Sequence, residues 1–376
     1  MDSLSHKERV LKSLRFEEPD RVPLDIGGTN VTSFHIEIEK KLKEYFGFKD
    51  DKIMLNSHKM QSVIPDERIL KYFNVDTRCI SLHESEPWRK NSDGTFTDEW
   101  GIKYKKSSNG YYYEFVSHPL SNATVRDLEN YHWPDPKSKR RIEGLKEKVK
   151  NFYKEYCIIL EGLHEPIFGL ASWLLGYEQF YIDLVTNKEL IKKLFDGLLI
   201  FWKQLLEFVL GEIGDYIDIV KIADDLGAQN DLLISPKIYR ELVKPRQAEL
   251  FSFIKEKCDC KILFHCDGAI RKIIPDFIEI GVDILNPIQP GLPGMDAKSL
   301  KEKFENKLAF WGGGVDTQST LSFGTPDDVK NEVKKYLNIF KPGGGYVFSQ
   351  VHNIQPEVPI ENIIAMYDTF FEYANY

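Results

Sequence analysis

Short apolar stretches in the last third of the chain each run into a cluster of Gly, Asp, Asn or His residues. These stretches cover residues 261–264, 282–285, 308–310 and 346–348, and patterns with helical periodicity over roughly 10–15 residues separate most of them. An alternation of strand, polar loop and helix predicts βα units whose polar loops meet at one edge of a parallel sheet. In such folds the carboxyl ends of the strands hold the active site. We therefore expect the chemistry to reside in these loops.

The same alternation, followed from the start of the sequence, predicts an α/β fold with eight strands. Strand patterns end near residues 26, 81, 160, 222, 264, 285, 310 and 348, and eight such units are typical of a (β/α)8 TIM barrel. A helical pattern over residues 7–15, with Ser5 and Glu8 at capping-box positions, predicts an N-terminal helical extension. We expect a single domain over residues 1–376.

Residues 88–116 depart from the βα alternation. The dipeptides Asp93-Gly94 and Asn109-Gly110 favour tight turns, and short runs rich in Thr, Tyr and Phe flank them. This pattern predicts an antiparallel hairpin insert. We expect the insert to lie over one face of the barrel and to form part of the rim of its mouth.

Charge and composition argue against several classes of partner. The 376 residues carry a formal net charge of −8, which disfavours binding to nucleic acid or to an anionic membrane. No apolar run approaches the ~20 residues of a membrane span, and the first residues lack the apolar region of a signal peptide. The five cysteines are irregularly spaced and read as reduced thiols. We therefore expect a cytoplasmic protein with a small-molecule substrate.

Two histidines at predicted strand ends are the first candidates for chemistry. His265 and His352 each follow an apolar stretch, and histidine suits either metal binding or acid–base work near neutral pH. Asp267 lies two residues after His265, so on an extended strand both side chains point to one side while Cys266 points to the other. Two alternatives are open: the histidines bind substrate or transfer protons without a metal, and Asp267 orients His265 from behind.

Acids and amides at other predicted strand ends are further candidates. Glu161 ends one strand pattern, and Asp224-Asp225 forms a like-charge pair, an arrangement that raises one pKa. We expect Glu161, Asp224 and Asp225 to act as acid–base groups. The alternatives are that Glu161 caps the following segment and that the aspartates bind the adjacent glycine turn. Gln229 and Asn286 are candidate hydrogen-bonding partners of a substrate.

A series of short motifs runs in order through nearly the whole chain. They are Glu8-Arg9-Val10, residues 18–23, Trp100-Gly101-Ile102, His118-Pro119-Leu120, Trp133-Pro134 and residues 224–229, 265–270, 281–287, 312–318 and 352–356. In these motifs the chain resembles the uroporphyrinogen decarboxylase superfamily, which also holds the cobamide-dependent methyltransferases. The resemblance implies a (β/α)8 barrel that is often a homodimer.

One stretch departs from the tetrapyrrole decarboxylases of that superfamily. Those enzymes carry an arginine-rich Arg-x-x-Gly-Arg-Tyr-type loop that grips substrate carboxylates, whereas the corresponding residues 25–30 here contain Asp25 and no arginine. A substrate with many carboxylates needs several cationic partners. We therefore do not expect uroporphyrinogen as the substrate. Asp25, and Gln318 in the loop after residue 310, are expected to contact another substrate.

The methyltransferase branch implies a metal site. Its coenzyme M methyltransferases bind zinc through a His-x-Cys pair at one strand end and a Cys near the C-terminus. By this resemblance His265 matches the His, Asp267 the first Cys and His352 the second, while Cys266 sits one place off. His, Asp and His are legitimate zinc ligands and would leave one coordination position open. The same set also suits Mn²⁺ or Fe²⁺.

The function implied by the resemblance is metal-assisted methyl transfer. The methyl group would pass between a small methylated substrate, or a thiol, and a corrinoid carried by a partner protein, with zinc as the metal. One alternative is a carboxy-lyase acting on a tetrapyrrole or another carboxylate, in which Asp25, Asp224 or Asp225 would stabilise developing positive charge without a metal. A second alternative is a non-catalytic protein that binds a corrinoid in the same pocket. The fold alone does not decide between these functions.

Overall fold

The computed structural model describes residues 4–50 and 52–376. Its strands are β1 (Met54–Ser57), β2 (Ser62–Ile64), β3 (Thr77–Ser81), β4 (Arg89–Lys90), β5 (Phe96–Thr97), β6 (Lys103–Lys106), β7 (Tyr113–Ser117), β8 (Cys157–Leu163), β9 (Ile219–Ala223), β10 (Lys261–His265), β11 (Ile284–Asn286), β12 (Ala309–Trp311) and β13 (Tyr346–Val347).

The helices fill the intervals between the strands. They are α1 (His6–Leu14), α2 (Ile36–Tyr45), α3 (Glu67–Tyr72), α4 (Val125–Glu129), α5 (Leu145–Lys150), α6 (Phe168–Leu175), α7 (Tyr177–Thr186), α8 (Lys188–Ile213), α9 (Pro236–Ile238), α10 (Lys244–Lys257), α11 (Ile274–Glu279), α12 (Ala297–Phe304), α13 (Thr320–Phe323), α14 (Pro326–Phe340) and α15 (Ile360–Tyr373). Short 3-10 segments cover Lys139–Ile142 and Gly214–Tyr216, and Tyr239–Val243 is a π-helical turn. No helix in these described ranges is both long and apolar enough to cross a membrane.

Seven strands form one parallel sheet in the order β13-β12-β11-β10-β9-β8-β3. An extended segment over residues 23–25, the closing segment, joins the two edges of this sheet. The amide of Phe348 donates to the carbonyl of Pro23 and the amide of Asp25 to the carbonyl of Phe348, both at 2.9 Å. On the other side the amide of Asp76 donates to the carbonyl of Leu24 at 3.0 Å. The segment thus takes the eighth position, and the expected TIM-barrel-like α/β fold is confirmed.

The N-terminal helical extension closes the bottom of this barrel. Ser5 and Glu8 form the predicted capping box, in which the Ser5 side chain accepts from the Glu8 amide and the Glu8 carboxylate accepts from the Ser5 amide. Val10 and Leu14 of α1 pack against the apolar residues inside the barrel. Within the described residues, α1 therefore closes the bottom of the barrel and leaves the opposite end to a ligand.

The antiparallel insert is also confirmed, as the four-stranded sheet β4-β5-β6-β7. Trp88 and Tyr104 stack within it, with ring centroids 4.6 Å apart. The hydroxyl of Tyr112 donates to the side-chain oxygen of Gln355, so the insert contacts the loop that follows β13. It therefore lies over the carboxyl ends of the barrel strands, as expected.

Glycines separate two pairs of neighbouring helical elements. The 3-10 segment Lys139–Ile142 and α5 are separated at Gly144, whose φ is +71°, and α6 and α7 at Gly176, whose φ is +86°. These left-handed conformations favour glycine and end a right-handed helix. The π-helical turn Tyr239–Val243 lies between α9 and α10.

Candidate active site

The inward-facing residues of the strands change from apolar to polar toward the open end. Strand residues two apart share a face. The buried layer inside the barrel includes Cys157, Ile159, Ile219, Leu263, Ile284 and Trp311. Two residues further along these strands lie Glu161, Lys221, His265 and Asn286, which are all buried. This polar layer is the floor of the barrel mouth.

A cavity of about 850 Å³ lies above this floor and reaches under the insert. His265 and His352 line it, together with Asp225 and Lys221. Its walls are strongly aromatic and include Trp88, Trp100, Tyr104, Tyr113, Trp173 and Trp202. A cavity of this size, whose aromatic walls also carry several charged side chains, is suited to a small-molecule ligand.

His265, Asp267 and His352 come together at the floor of the cavity, and we refer to them as the triad. The Oδ2 atom of Asp267 lies 3.7 Å from Nε2 of His265 and 3.8 Å from Nε2 of His352. One ligand atom from each side chain fits within 4.8 Å of the other two. The sequence places His352 almost ninety residues away from the others, and the barrel closure brings it to them.

The neighbours of His265 fix its tautomer. Its Nδ1 lies 2.6 Å from Oδ1 of Asn286, and Nδ2 of the same amide donates to the carbonyl of Trp311 at 3.0 Å. Since Nδ2 is the amide's donor, Oδ1 must accept, and Nδ1 of His265 carries the proton. Burial lowers the pKa of His265 to about 4, so the ring is neutral at pH 7. Its Nε2 lone pair therefore points at Asp267.

His352 is oriented by the two polar residues that follow it. Its Nδ1 contacts Oδ1 of Asn353, and that oxygen also accepts from Nε2 of Gln355 at 2.7 Å. The oxygen of the Gln355 amide accepts from Tyr112, which fixes the amide's orientation. Asn353 Oδ1 is thus an acceptor, and Nδ1 of His352 donates to it. Nε2 of His352 faces Asp267.

The donor set of the triad fits a divalent metal ion. Two imidazole Nε2 atoms and one carboxylate oxygen face one another, and the other oxygen of Asp267, Oδ1, is buried without a hydrogen-bond partner among the described residues. A buried polar atom without a partner costs roughly 1–3 kcal/mol. Neutral imidazole and carboxylate are ligands for Zn²⁺ and for harder divalent ions.

Replacing Asn286 by Leu should weaken metal binding about 10- to 100-fold, the range observed when a group that orients a ligating histidine is removed. The change removes the acceptor that holds the proton on Nδ1 of His265. Titration with zinc against a competing chelator measures the affinity. Cys266→Ala is the matched control, because the Cys266 thiol accepts from the Leu226 amide on the opposite side of the strand. An unchanged affinity in Asn286→Leu would contradict this role.

A second polar group, centred on Lys221, lies in the barrel beside the triad. Nζ of Lys221 donates to Oδ1 of Asn30 at 3.0 Å and lies 3.3 Å from Oε1 of Glu161. Burial opposes the ionisation of Glu161, but Lys221 and His164 outweigh it and hold the pKa of Glu161 below its usual value. Burial lowers the pKa of His164 to about 4. Glu161 is therefore an ionised, hydrogen-bonded partner of Lys221 at neutral pH.

The structure separates the two acids of the Asp224-Asp225 pair. The carboxylate of Asp224 accepts from the amides of Phe168 and Gly169 and from Gln247, outside the cavity lining. Burial raises the pKa of Asp224 to about 7. Asp225 lines the cavity, and its Oδ1 accepts from the Asp267 amide at 2.9 Å and lies 4.0 Å from Nε2 of His265. Only Asp225 is within reach of the triad.

The remaining predicted site residues lie at different depths. Asp25 is fully buried in the barrel, where its carboxylate accepts from Thr77, Trp311 and the amide of Gly28, and it does not line the cavity. Burial raises the pKa of Asp25. Gln229 and Gln318 contact each other at 3.4 Å, and neither lines the cavity.

Several residues that shape the cavity were not predicted from the sequence. Asn353 directly follows His352 in the sequence. Its role in orienting His352 depends on a contact between their side chains, which sequence spacing does not predict. Lys221 could have been identified from the sequence, because it is the single charged residue within the buried strand Ile219–Ala223. Lys59 and Glu165 come from the β1–β2 hairpin and from the loop after β8. Lys59 carried no signal, because it does not follow a βα boundary, whereas Glu165 follows the strand pattern predicted to end near residue 160.

Comparison with known proteins gives a consistent family. A family model described as "Uroporphyrinogen decarboxylase (URO-D)" matches residues 111–373. The uroporphyrinogen decarboxylase of Staphylococcus epidermidis is 25% identical over 260 residues, which cover 66% of this chain and 67% of that protein. The methylcobamide:CoM methyltransferase MtbA of Methanosarcina acetivorans is 24% identical over 237 residues, 62% of this chain and 66% of that protein.

A solved structure matches over a longer range. A methyltransferase from Methanosarcina mazei aligns with 99% of this chain and 99% of its own, with a TM-score of 0.69 and 19% sequence identity. At this identity the match establishes the shared fold alone. The reaction must be argued from the site.

Proposed function

This chain belongs to the uroporphyrinogen decarboxylase family, whose relatives include decarboxylases and methyltransferases, and we propose that it is a metal-assisted methyltransferase that works with a corrinoid protein. The observation that carries the proposal is the triad, in which two imidazole nitrogens and a carboxylate oxygen face one another at the floor of the cavity. A decarboxylase that acts through charged side chains alone has no need of such a donor set.

The proposed ligands are Nε2 of His265, Nε2 of His352 and a carboxylate oxygen of Asp267. When bound, the metal supplies Lewis acidity to the reacting sulfur or oxygen atom of the small substrate. Zinc is the first candidate, because His, His and Asp leave one position open for a substrate atom. The absence of thiolates from the triad favours an oxygen-bearing methyl donor, such as a methoxy compound, over a thiol.

The chain's own residues supply orientation and exclude water. Asn286 and Asn353 hold the two imidazole protons away from the cavity. Glu161 lies 3.3 Å from Lys221 in the floor of the cavity, and this buried pair packs beside the triad. The aromatic walls keep the reacting atoms away from bulk water.

The partner in this proposal carries the corrinoid to the barrel mouth. The methyltransferase MtbA is named for a methylcobamide, and a cobalt-bound methyl group needs access to the triad. The bottom of the barrel is closed by α1, so access is from the side of the insert. The insert sheet β4–β7 and the loop after β13 would then form the docking surface for the corrinoid protein.

The test of the proposal is methyl transfer to free cob(I)alamin under anaerobic conditions. The zinc-loaded protein is mixed with a panel of methoxy and methylthio compounds, and the absorbance change on formation of methylcobalamin is recorded. We expect turnover with at least one donor, loss of turnover after chelation and recovery on adding zinc. His83→Ala is a matched control, because His83 is an exposed histidine of the same cavity that lies outside the triad. Turnover that survives complete chelation would overturn the proposal.

A carboxy-lyase is the second candidate, and one observation favours it. Arg140 and Lys148 line the cavity and form no salt bridge with the residues that the structure describes. Such cations could hold substrate carboxylates in the absence of the arginine-rich loop. Incubation with uroporphyrinogen and with smaller tetrapyrrole carboxylates, followed by chromatography, tests this function. Decarboxylation that is unchanged in the chelated protein would favour the carboxy-lyase.

A further inference from the structure

Lys59 places a cation in the cavity that no carboxylate neutralises directly. It lies in the turn between β1 and β2 and is half-buried. Its Nζ sits 3.6 Å from the ring centroid of Trp173 and 4.9 Å from that of Phe115. Within residues 4–50 and 52–376 the ammonium has neither a salt bridge nor a hydrogen bond. Its three donors are therefore open to a ligand in the cavity.

Three other cations of the cavity lining, Lys221, Arg141 and Arg140, already contact oxygen atoms of the protein. Lys221 contacts Glu161, and Arg141 forms a salt bridge with Glu99 at 2.8 Å. A paired cation offers little to a ligand, because its partner must first be displaced. Arg140 and Lys148 lack such a partner among the described residues, but Arg140 donates to the carbonyl of Glu84. The ammonium of Lys59 differs from these paired cations, because its contacts among the described residues are with the rings of Trp173 and Phe115.

The electrostatics around Lys59 keep its charge available. Burial lowers its pKa to about 8, while Glu165 and Asp225 act in the opposite direction, so the ammonium remains mostly protonated at pH 7. Burial raises the pKa of Glu165 well above its usual value, and a carboxyl oxygen of Glu165 accepts from the amide of Asp225 at 2.9 Å. The charge of Asp225 acts on Lys59, and Asp225 also lies 4.0 Å from His265. Lys59, His265 and His352 line the same cavity, so the ammonium and the two imidazoles face one shared space.

We propose that Lys59 binds an oxyanion group, a carboxylate or a sulfonate, at the end of the small substrate remote from the triad. The reacting methyl-bearing atom then lies at the triad, and the body of the substrate lies against Trp173 and the other aromatic walls. The substrate class is a small methylated aromatic or aliphatic acid. This inference rests on the proposed function only for the position of the reacting end.

The test compares charged and neutral ligands of the same shape. Isothermal titration measures the binding of 4-methoxybenzoate, 4-methoxybenzenesulfonate and neutral 4-methoxybenzamide to wild type, Lys59→Met, Lys59→Arg, Arg140→Leu and Lys105→Met. Lys105 is an exposed lysine on the insert and serves as the matched control. A hydrogen bond to a charged group is worth roughly 1.5–3 kcal/mol, or about 10- to 100-fold in affinity. Zinc content and methyl transfer are measured on the same samples.

We expect wild type to bind at least one anion about 10- to 100-fold more tightly than the amide. Lys59→Met should remove that preference, whereas Lys59→Arg and Lys105→Met should keep it. The preferred anion identifies the group as a carboxylate or a sulfonate. An undiminished preference in Lys59→Met, its loss in Arg140→Leu alone, or no preference in wild type would overturn the inference. If the charge preference depends on Lys59 but zinc uptake and methyl transfer fail, only the proposed function is contradicted.

Discussion

Replacing Asp267 by Ala should remove stoichiometric metal binding and lower methyl transfer by about 10²–10³-fold, the range that follows the loss of one group stabilising charge in a transition state. Asp267 Oδ2 is the only carboxylate oxygen within 4 Å of both imidazole Nε2 atoms among the described residues. Without it, the two neutral imidazoles retain too few ligand atoms for a tight site. Elemental analysis and the methylcobalamin assay measure the two effects.

A second variant separates the loss of a ligand from a general disturbance of the loop. Asp267→Cys places a thiolate at the position where the methyltransferase branch has one, and thiolate is a strong zinc ligand. We expect this variant to bind zinc stoichiometrically, unlike Asp267→Ala. If both variants bind no metal yet keep wild-type methyl transfer, the triad is not a metal site in catalysis.

Replacing Asp76 by Asn should lower the free energy of unfolding by about 3–5 kcal/mol, the cost of leaving a buried cation without its partner. Asp76 is fully buried just before β3 and accepts from Arg9, Arg21, His6 and the amide of Leu24. These bonds tie α1 and the closing segment to the sheet edge. Urea unfolding followed by circular dichroism measures the change.

Asp20→Asn is the matched control for this stability prediction. Asp20 also pairs with Arg9, but its side chain is 38% exposed. An ion pair that is open to solvent contributes roughly 0–1 kcal/mol, so the control should lose no more than that. A loss in Asp76→Asn as small as that of the control would contradict the structural role of Asp76.

Asp76 also predicts how the free energy of unfolding changes at acidic pH. Burial opposes the ionisation of Asp76, but His6, Arg21 and Arg9 outweigh it and hold its pKa below the usual value. A carboxyl whose pKa is lower in the folded state stabilises the fold above the unfolded-state pKa of about 3.9. That contribution is lost as the pH falls through the folded-state pKa. At acidic pH the free energy of unfolding should therefore fall less steeply with decreasing pH in Asp76→Asn than in wild type. An unchanged slope would show that other groups cause unfolding in acid.

The period-two rule explains what could be predicted about the site from the sequence. It places His265 and Asp267 on one side and Cys266 on the other, and the structure has this arrangement. The same rule, applied from the charged residue Lys221, places Asp224 on the outer face, where it binds the start of α6. The like-charge pattern of Asp224 and Asp225, taken by itself, does not show which of the two side chains faces the cavity.

The contacts between distant segments could not be predicted in the same way. The orientation of His352 depends on Gln355 and on Tyr112 of the insert, which are far apart in the sequence. Lys59 enters the cavity from a hairpin that carries no βα signal. Local patterns predict which residues share a face, whereas side-chain pairing across the barrel mouth depends on how the insert packs.

The most direct test of the metal-assisted mechanism is X-ray absorption spectroscopy at the zinc edge of the zinc-loaded protein. The triad predicts a first shell of nitrogen and oxygen atoms with the multiple-scattering signature of two imidazoles and no sulfur. A sulfur shell at about 2.3 Å would place a cysteine among the ligands and contradict the assignment of His265, Asp267 and His352. Failure to retain zinc would contradict the mechanism as a whole.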